Sequence, residues 1–238
     1  TDAGVAPDEV KGHLRFEGVR FHYPGRESPA IDGLTFEVQP GEVIGLMGAQ
    51  GCGKSTLGRL LTRLATLDPE RDSGSVLLDG IPISQFALHS LRGHVMACPQ
   101  DATLYSRTLL DNIRMARPDA TDDQILAAAR LACADQWILR LPKGFATPVF
   151  EQGRSMSGGE RQSIGLARAL LADSKVIFLD EPTAHFDPVA TKRFVENMRK
   201  WLPGRTAIIA THRPEVLTVC SKVVVMEKGR VIATKTPM

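Results

Sequence analysis

Eight residues constrain this fold more than any other stretch: Gly48-Ala49-Gln50-Gly51-Cys52-Gly53-Lys54-Ser55, because of what flanks them. The apolar run Val43 to Met47 precedes them, and Leu57, Leu60, Leu61 and Leu64 follow at helical spacing. Strand, glycine-rich turn and amphipathic helix in that order open a parallel-sheet unit with a crossover helix. Val176 to Leu179, Ala207 to Ala210 and Val223 to Met226 are further apolar runs, each short enough for a buried core strand. Leu14 to Phe21 and Leu34 to Val38 alternate instead, as half-buried antiparallel strands do, with turns at Pro24-Gly25 and Gln39-Pro40-Gly41. Ile125, Ala128, Ala129, Ala132 and Trp137 place a helix between Asp122 and Leu141, inside a mainly helical insertion over 101–158. The class is therefore α/β.

The 238 residues suffice for a full α/β core. Residues 1–12 are polar and patternless and read as a linker or tag remnant, so the chain is expected to be a piece of something longer. A net charge of +2, with no basic block interleaved with aromatics, speaks against a nucleic-acid partner. Cys52, Cys98, Cys133 and Cys220 lack metal or redox spacing, so reduced thiols are expected. No apolar run approaches the roughly 20 residues of a membrane helix.

The glycine-rich turn carries chemistry. Its glycines let backbone N–H groups converge on phosphates, and the following helix adds partial positive charge. Lys54 then reaches the β- and γ-phosphates, and Ser55 can ligate Mg²⁺. Such a loop needs acidic groups at the end of a neighbouring strand, and Val176-Ile177-Phe178-Leu179-Asp180-Glu181 supplies two. Asp180 is expected to hold Mg²⁺ through water, while Glu181 orients and deprotonates the attacking water.

Downstream, Ser157 with Glu160 three residues on forms a capping box, opening a helix that buries Ile164, Ala167 and Leu171. Asp187 before Pro188 reads as the N-cap of a helix carrying Val189, Val195, Met198 and Leu202. The run Met156-Ser157-Gly158-Gly159-Glu160-Arg161-Gln162 also resembles the signature motif of the ABC ATPase family, and the resemblance covers nearly the whole chain. It implies a P-loop NTPase (RecA-like) core with an N-terminal antiparallel β subdomain and a helical subdomain. The domain would cover 13–238, with 13–100 and 159–238 forming the β subdomain and core. It further implies ATP and Mg²⁺ bound between two such domains, in all expectation identical ones.

Each site would take Tyr23, Gly48 to Thr56, Gln100, Asp180, Glu181 and His212 from one chain, and Ser157, Gly158 and Gly159 from the other. By resemblance, Tyr23 stacks on adenine, Gln100 touches Mg²⁺ and water, His212 contacts the γ-phosphate and steadies Glu181, and Asp187 lies at the dimer seam. Glu181, His212, Lys54 and Gln100 form the expected catalytic set. Three departures stand out: Glu160 where Gln is usual, Cys52 for a small residue, and Thr183-Ala184-His185-Phe186-Asp187 where Ser-Ala-Leu-Asp is usual.

Leu141 to Phe145 and Thr147 to Gly153 resemble the exporter segment that touches membrane helices, with Glu151 as its contact residue. Asn112 to Asp119 and Leu202 to Arg213 look most like type I secretion ATPases of bacteria, which implies a polypeptide cargo. The implied setting is the cytoplasmic face of the bacterial inner membrane, with the transmembrane domain absent from this chain. An importer ATPase or a soluble non-transport ABC protein are the alternatives.

Overall fold

The computed structural model describes residues 3–150, 153 and 155–237, and the chain divides into two compact units. The first comprises the residues up to Ala97, Ser174–Asp180 and those from Leu202 onward. It holds two sheets. In the smaller, β1 (Leu14–Phe21), β2 (Ile31–Val38), β4 (Ser73–Leu78) and β5 (Ile81–Pro82) are antiparallel in the order β2-β1-β4-β5. Alternation on β1 buries Leu14, Phe16, Val19 and Phe21, and Phe16 stacks on Phe36 with ring centroids 4.6 Å apart.

The larger sheet runs β10-β9-β3-β8-β7-β6, formed by β3 (Val43–Gly48), β6 (Val95–Cys98), β7 (Val176–Asp180), β8 (Thr206–Ala210), β9 (Lys222–Glu227) and β10 (Arg230–Lys235). β9, β3, β8 and β7 pair in parallel, and β10 returns antiparallel along β9. Strands β7 and β8 are buried at every position, as near-continuous apolar runs in a covered parallel sheet must be. Helices α1 (Lys54–Leu61), α2 (Leu88–His94) and α8 (Pro214–Leu217) complete this unit. Leu57, Leu60 and Leu61 of α1 enter the core with Phe178 and Ile208. Leu64, expected on the same face, is 68% exposed: α1 stops at Leu61, and Arg63 turns into the left-handed region at φ 50°.

Residues 3–12, expected as a linker, are seated on this unit. Val5 bridges to Phe86, the Pro7 carbonyl accepts from the His94 ring at 2.9 Å, and Val10 is buried. Strands β4, β5, β6 and β10 had no sequence expectation: β4 begins Ser-Gly-Ser, β5 has two residues, and β10 alternates weakly on an exposed edge.

The second unit, Cys98–Asp173 with Glu181–Trp201, is wider than the 101–158 expected for the helical part. It contains α3 (Leu109–Arg114), α4 (Asp122–Leu131), α5 (Asp135–Ile138), α6 (Gly158–Leu171) and α7 (Pro188–Trp201). Helix α6 is its centre, with nine buried residues and with α3 and α4 packed on it. The single helix expected from Asp122 to Leu141 is two, because Cys133 takes φ 61° and breaks the ladder between α4 and α5. On α7, Phe194, Val195 and Met198 are buried, but Val189 is 78% exposed.

Candidate functional site

Register brings the first group of site residues together. Leu46 on β3 lies opposite Ala210 on β8, which lies opposite Asp180 on β7. The three parallel strands therefore end side by side. Two residues beyond Leu46 the glycine-rich loop begins, two beyond Ala210 stands His212, and Asp180 ends its own strand. This carboxyl edge is where open α/β sheets bind ligands. Asp180 is buried and His212 exposed, and both hydrogen-bond or interact with neighbours.

The loop from Gly48 to Gly53 is shaped for an anion. Gly53 caps α1 at φ 108°, a conformation closed to most side-chain-bearing residues. Among the described residues no side chain caps α1, and its first turn carries no acidic residue, so the positive end of the helix dipole is left for an external negative charge. Helices α3, α4 and α6 are instead capped by Thr108, Thr121 and Ser157. Around Gly51 the space is open, with no atom of the described residues within 4 Å of where a side chain would start, its own chain neighbours apart. Lys54 Nζ donates to the carbonyls of Gly48 at 2.6 Å and Ala49 at 3.1 Å. Its third contact is the Cys52 sulfur at 3.8 Å, a weak acceptor readily exchanged for a phosphate oxygen. Ala49, Gln50 and Ser55 are exposed, and Cys52 and Thr56 are buried.

For Mg²⁺, this edge offers the Ser55 hydroxyl and the Asp180 carboxylate. Among the described residues no group of three or more His, Cys, Asp or Glu forms a metal cage. That donor set fits an ion held by one carboxylate plus substrate phosphates, as Mg²⁺ commonly is. Tyr23 joins the same unit: its hydroxyl lies 3.1 Å from Thr56 Oγ1, Phe21 meets its ring edge-on, and Arg59 stands 6.0 Å from the ring centre.

The remaining site residues belong to the second unit. Ser157 Oγ accepts from the Glu160 N–H at 3.1 Å, and the Glu160 carboxylate accepts from the Ser157 N–H at 2.7 Å. The capping box expected from sequence is thus present, and the Glu160 charge is turned back onto the backbone. A side chain at Gly159 would start 2.9 Å from the His185 carbonyl oxygen, so glycine there lets the backbone of the 181–187 segment pass close, while Gly158 faces the His185 ring. His185 is exposed, while Phe186 is buried against Phe194 at 6.2 Å. The unusual pair thus divides its labour between helix start and apolar anchor. Asp187 Oδ1 accepts from the Ala190 N–H at 2.7 Å, the expected N-cap. Gln100 is exposed two residues after β6. Glu151, expected to touch membrane helices, lies outside the described residues.

One residue of this unit received no role from the sequence. Gln162 is buried, and its side chain holds both Glu181 and His185. A glutamine just ahead of the apolar positions Ile164, Leu166 and Ala167 of α6 is the signal that marks it.

Residues 31–184 match the ABC transporter family. The ATP-dependent lipid A-core flippase of Chromobacterium violaceum is 37% identical over 229 residues, covering 96% of this chain and 38% of its own length. That of Shewanella denitrificans is 38% identical over 230 residues, again covering 96% and 38%. A bacterial Atm1-family ABC exporter with ATP bound superposes with a TM-score of 0.90 at 33% identity, covering 98% of this chain and 41% of that one. The chain spans about two fifths of the length of these relatives. Since the matched stretch, residues 31–184, takes in the Lys54 loop, the Ser157 helix, Asp180 and Glu181, the chain belongs to the ABC transporter family, as an ATPase domain similar to those of exporters.

Proposed function

We propose that two copies of this chain close face to face around two ATP molecules, and that hydrolysis reopens them to drive export through attached membrane helices. The observation that carries the nucleotide reading is the alignment of Leu46, Ala210 and Asp180, which delivers the Lys54 loop, His212 and Asp180 to one sheet edge. Lys54 and the uncapped start of α1 hold the phosphates, and the Tyr23 ring stacks on adenine. Mg²⁺ bound by Ser55, Asp180 and Gln100 would neutralise charge developing on the phosphates. Glu181 orients the attacking water and takes its proton, and His212 contacts the γ-phosphate. Ser157, Gly158 and Gly159 of the second copy face that same phosphate, with Asp187 at the seam.

Residues 13–238 form the ATPase domain, which works at the cytoplasmic face of a bacterial inner membrane against a transmembrane domain outside this chain. Among the described residues no helix is long and apolar enough to cross a membrane. The lipid A-core flippases named above favour an amphiphilic lipid cargo. The polypeptide cargo of a type I secretion system rests only on the resemblance of Asn112 to Asp119 and Leu202 to Arg213, and none of the relatives named above is a secretion ATPase.

The shared site makes ATPase activity depend on encounter between copies. Activity rises faster than linearly with protein concentration, and Glu181→Gln accumulates an ATP-bound dimer on size exclusion. Strict proportionality down to dilute protein, with a monomeric Glu181→Gln in ATP, would contradict this reading.

A further inference from the structure

We infer that Gln162 is a positioning residue for Glu181, tying the backbone of the base to the helix that begins at Gly158. This rests on the reading of Glu181 as the group that activates water. Gln162 is 2% exposed on α6, four residues, or about one turn, past Gly158. Its Nε2 donates to the Glu181 carbonyl at 2.7 Å, and its Oε1 accepts from the His185 N–H at 3.0 Å. A single buried amide therefore grips both ends of the segment from Glu181 to His185.

That segment is not relaxed. Glu181 sits at φ 46°, a left-handed conformation uncommon for a residue with a long side chain. Among the described residues the Thr183 hydroxyl is buried without a hydrogen-bond partner, which is costly in a folded protein. Such features persist only where the surroundings over-determine them, and the two Gln162 hydrogen bonds supply that constraint. Rotation of φ at Glu181 back to the right-handed region would re-aim its whole side chain, so the amide that holds the carbonyl also sets where the carboxylate points. The same helix carries Ser157, Gly158 and Gly159 at its start. A shift of that start against a partner's nucleotide is passed through Gln162 to Glu181, linking the two sites through one side chain.

Gln162→Met keeps the length of the side chain and removes both hydrogen bonds. Its kcat falls about 100-fold, the usual consequence of misplacing a reacting group by an ångström, while KM for ATP stays within about threefold. Hydrogen exchange at the His185 amide accelerates while β7 amides keep their protection. In a Glu181→Gln background the same change costs nothing further, since the two residues act as one unit. Gln162→Asn, shorter by one methylene, cannot reach both partners and gives the same pattern should the methionine variant fold poorly. Wild-type kcat in a variant whose His185 amide exchanges freely, or a loss that adds fully to that of Glu181→Gln, overturns the tie alone. Full turnover by Glu181→Gln by itself sinks the base reading, and the tie with it.

Discussion

Cys52 places a thiol inside the phosphate loop, its sulfur 3.8 Å from Lys54 Nζ. Burial pushes Cys133 up to about 11 and Cys220 up to about 12, so both stay protonated and unreactive at pH 8. Cys52 is itself only 5% exposed, and reaching it requires the loop to open. Maleimide treatment is therefore expected to abolish nucleotide binding through Cys52, with saturating ATP protecting, as read by peptide mass spectrometry and a nucleotide-binding assay. Equal inactivation with and without ATP counts against this placement. At this scale, the proposed roles of Lys54 and Ser55 rest on the loop pattern, and those of Asp180 and Glu181 on their place at the end of an apolar run. Gln162 was not legible in the sequence, because its meaning lies in two partners 19 and 23 positions away.

Capping decides which helix starts are closed and which are left open. Thr121 and Ser157 each form a complete capping box, on α4 and α6. Replacing either by alanine costs about 1 kcal/mol of stability, visible as similar drops in melting temperature. ATPase activity is expected to separate them: under the proposed shared site the Ser157 hydroxyl would also face the partner's phosphate, so Ser157→Ala loses turnover whereas Thr121→Ala keeps it. Equal ATPase activity in the two variants would reduce Ser157 to a cap. Elements with strong periodicity, such as β1, β3, β7, β8 and α6, were readable from sequence because burial of one face or both leaves a regular mark. The ends were less so. Leu64 continues the α1 pattern, yet the chain has already turned at Arg63, and the break at Cys133 leaves no trace in the spacing of Ala128, Ala129 and Ala132.

Whole-molecule stability should follow nucleotide occupancy, since a ligand that binds only the folded chain stabilises it by mass action. At 100 times its Kd, ATP adds about 2.7 kcal/mol. Lys54→Ala removes the counter-charge of the phosphates, so its melting temperature should no longer respond to ATP while its melting without nucleotide stays near wild type. A retained ATP shift would move the phosphate site away from the Lys54 loop. The sequence by itself determined the α/β class, the glycine-rich turn between strand and helix, and the Ser157 capping box, because each depends on residues within one or two turns of chain. Only the tertiary structure decided that Leu46, Ala210 and Asp180 share one line across three strands, and that one buried amide on α6 grips Glu181 and His185. Those are pairings between distant segments, and strand register and a buried hydrogen bond are fixed by packing that local sequence pattern does not encode.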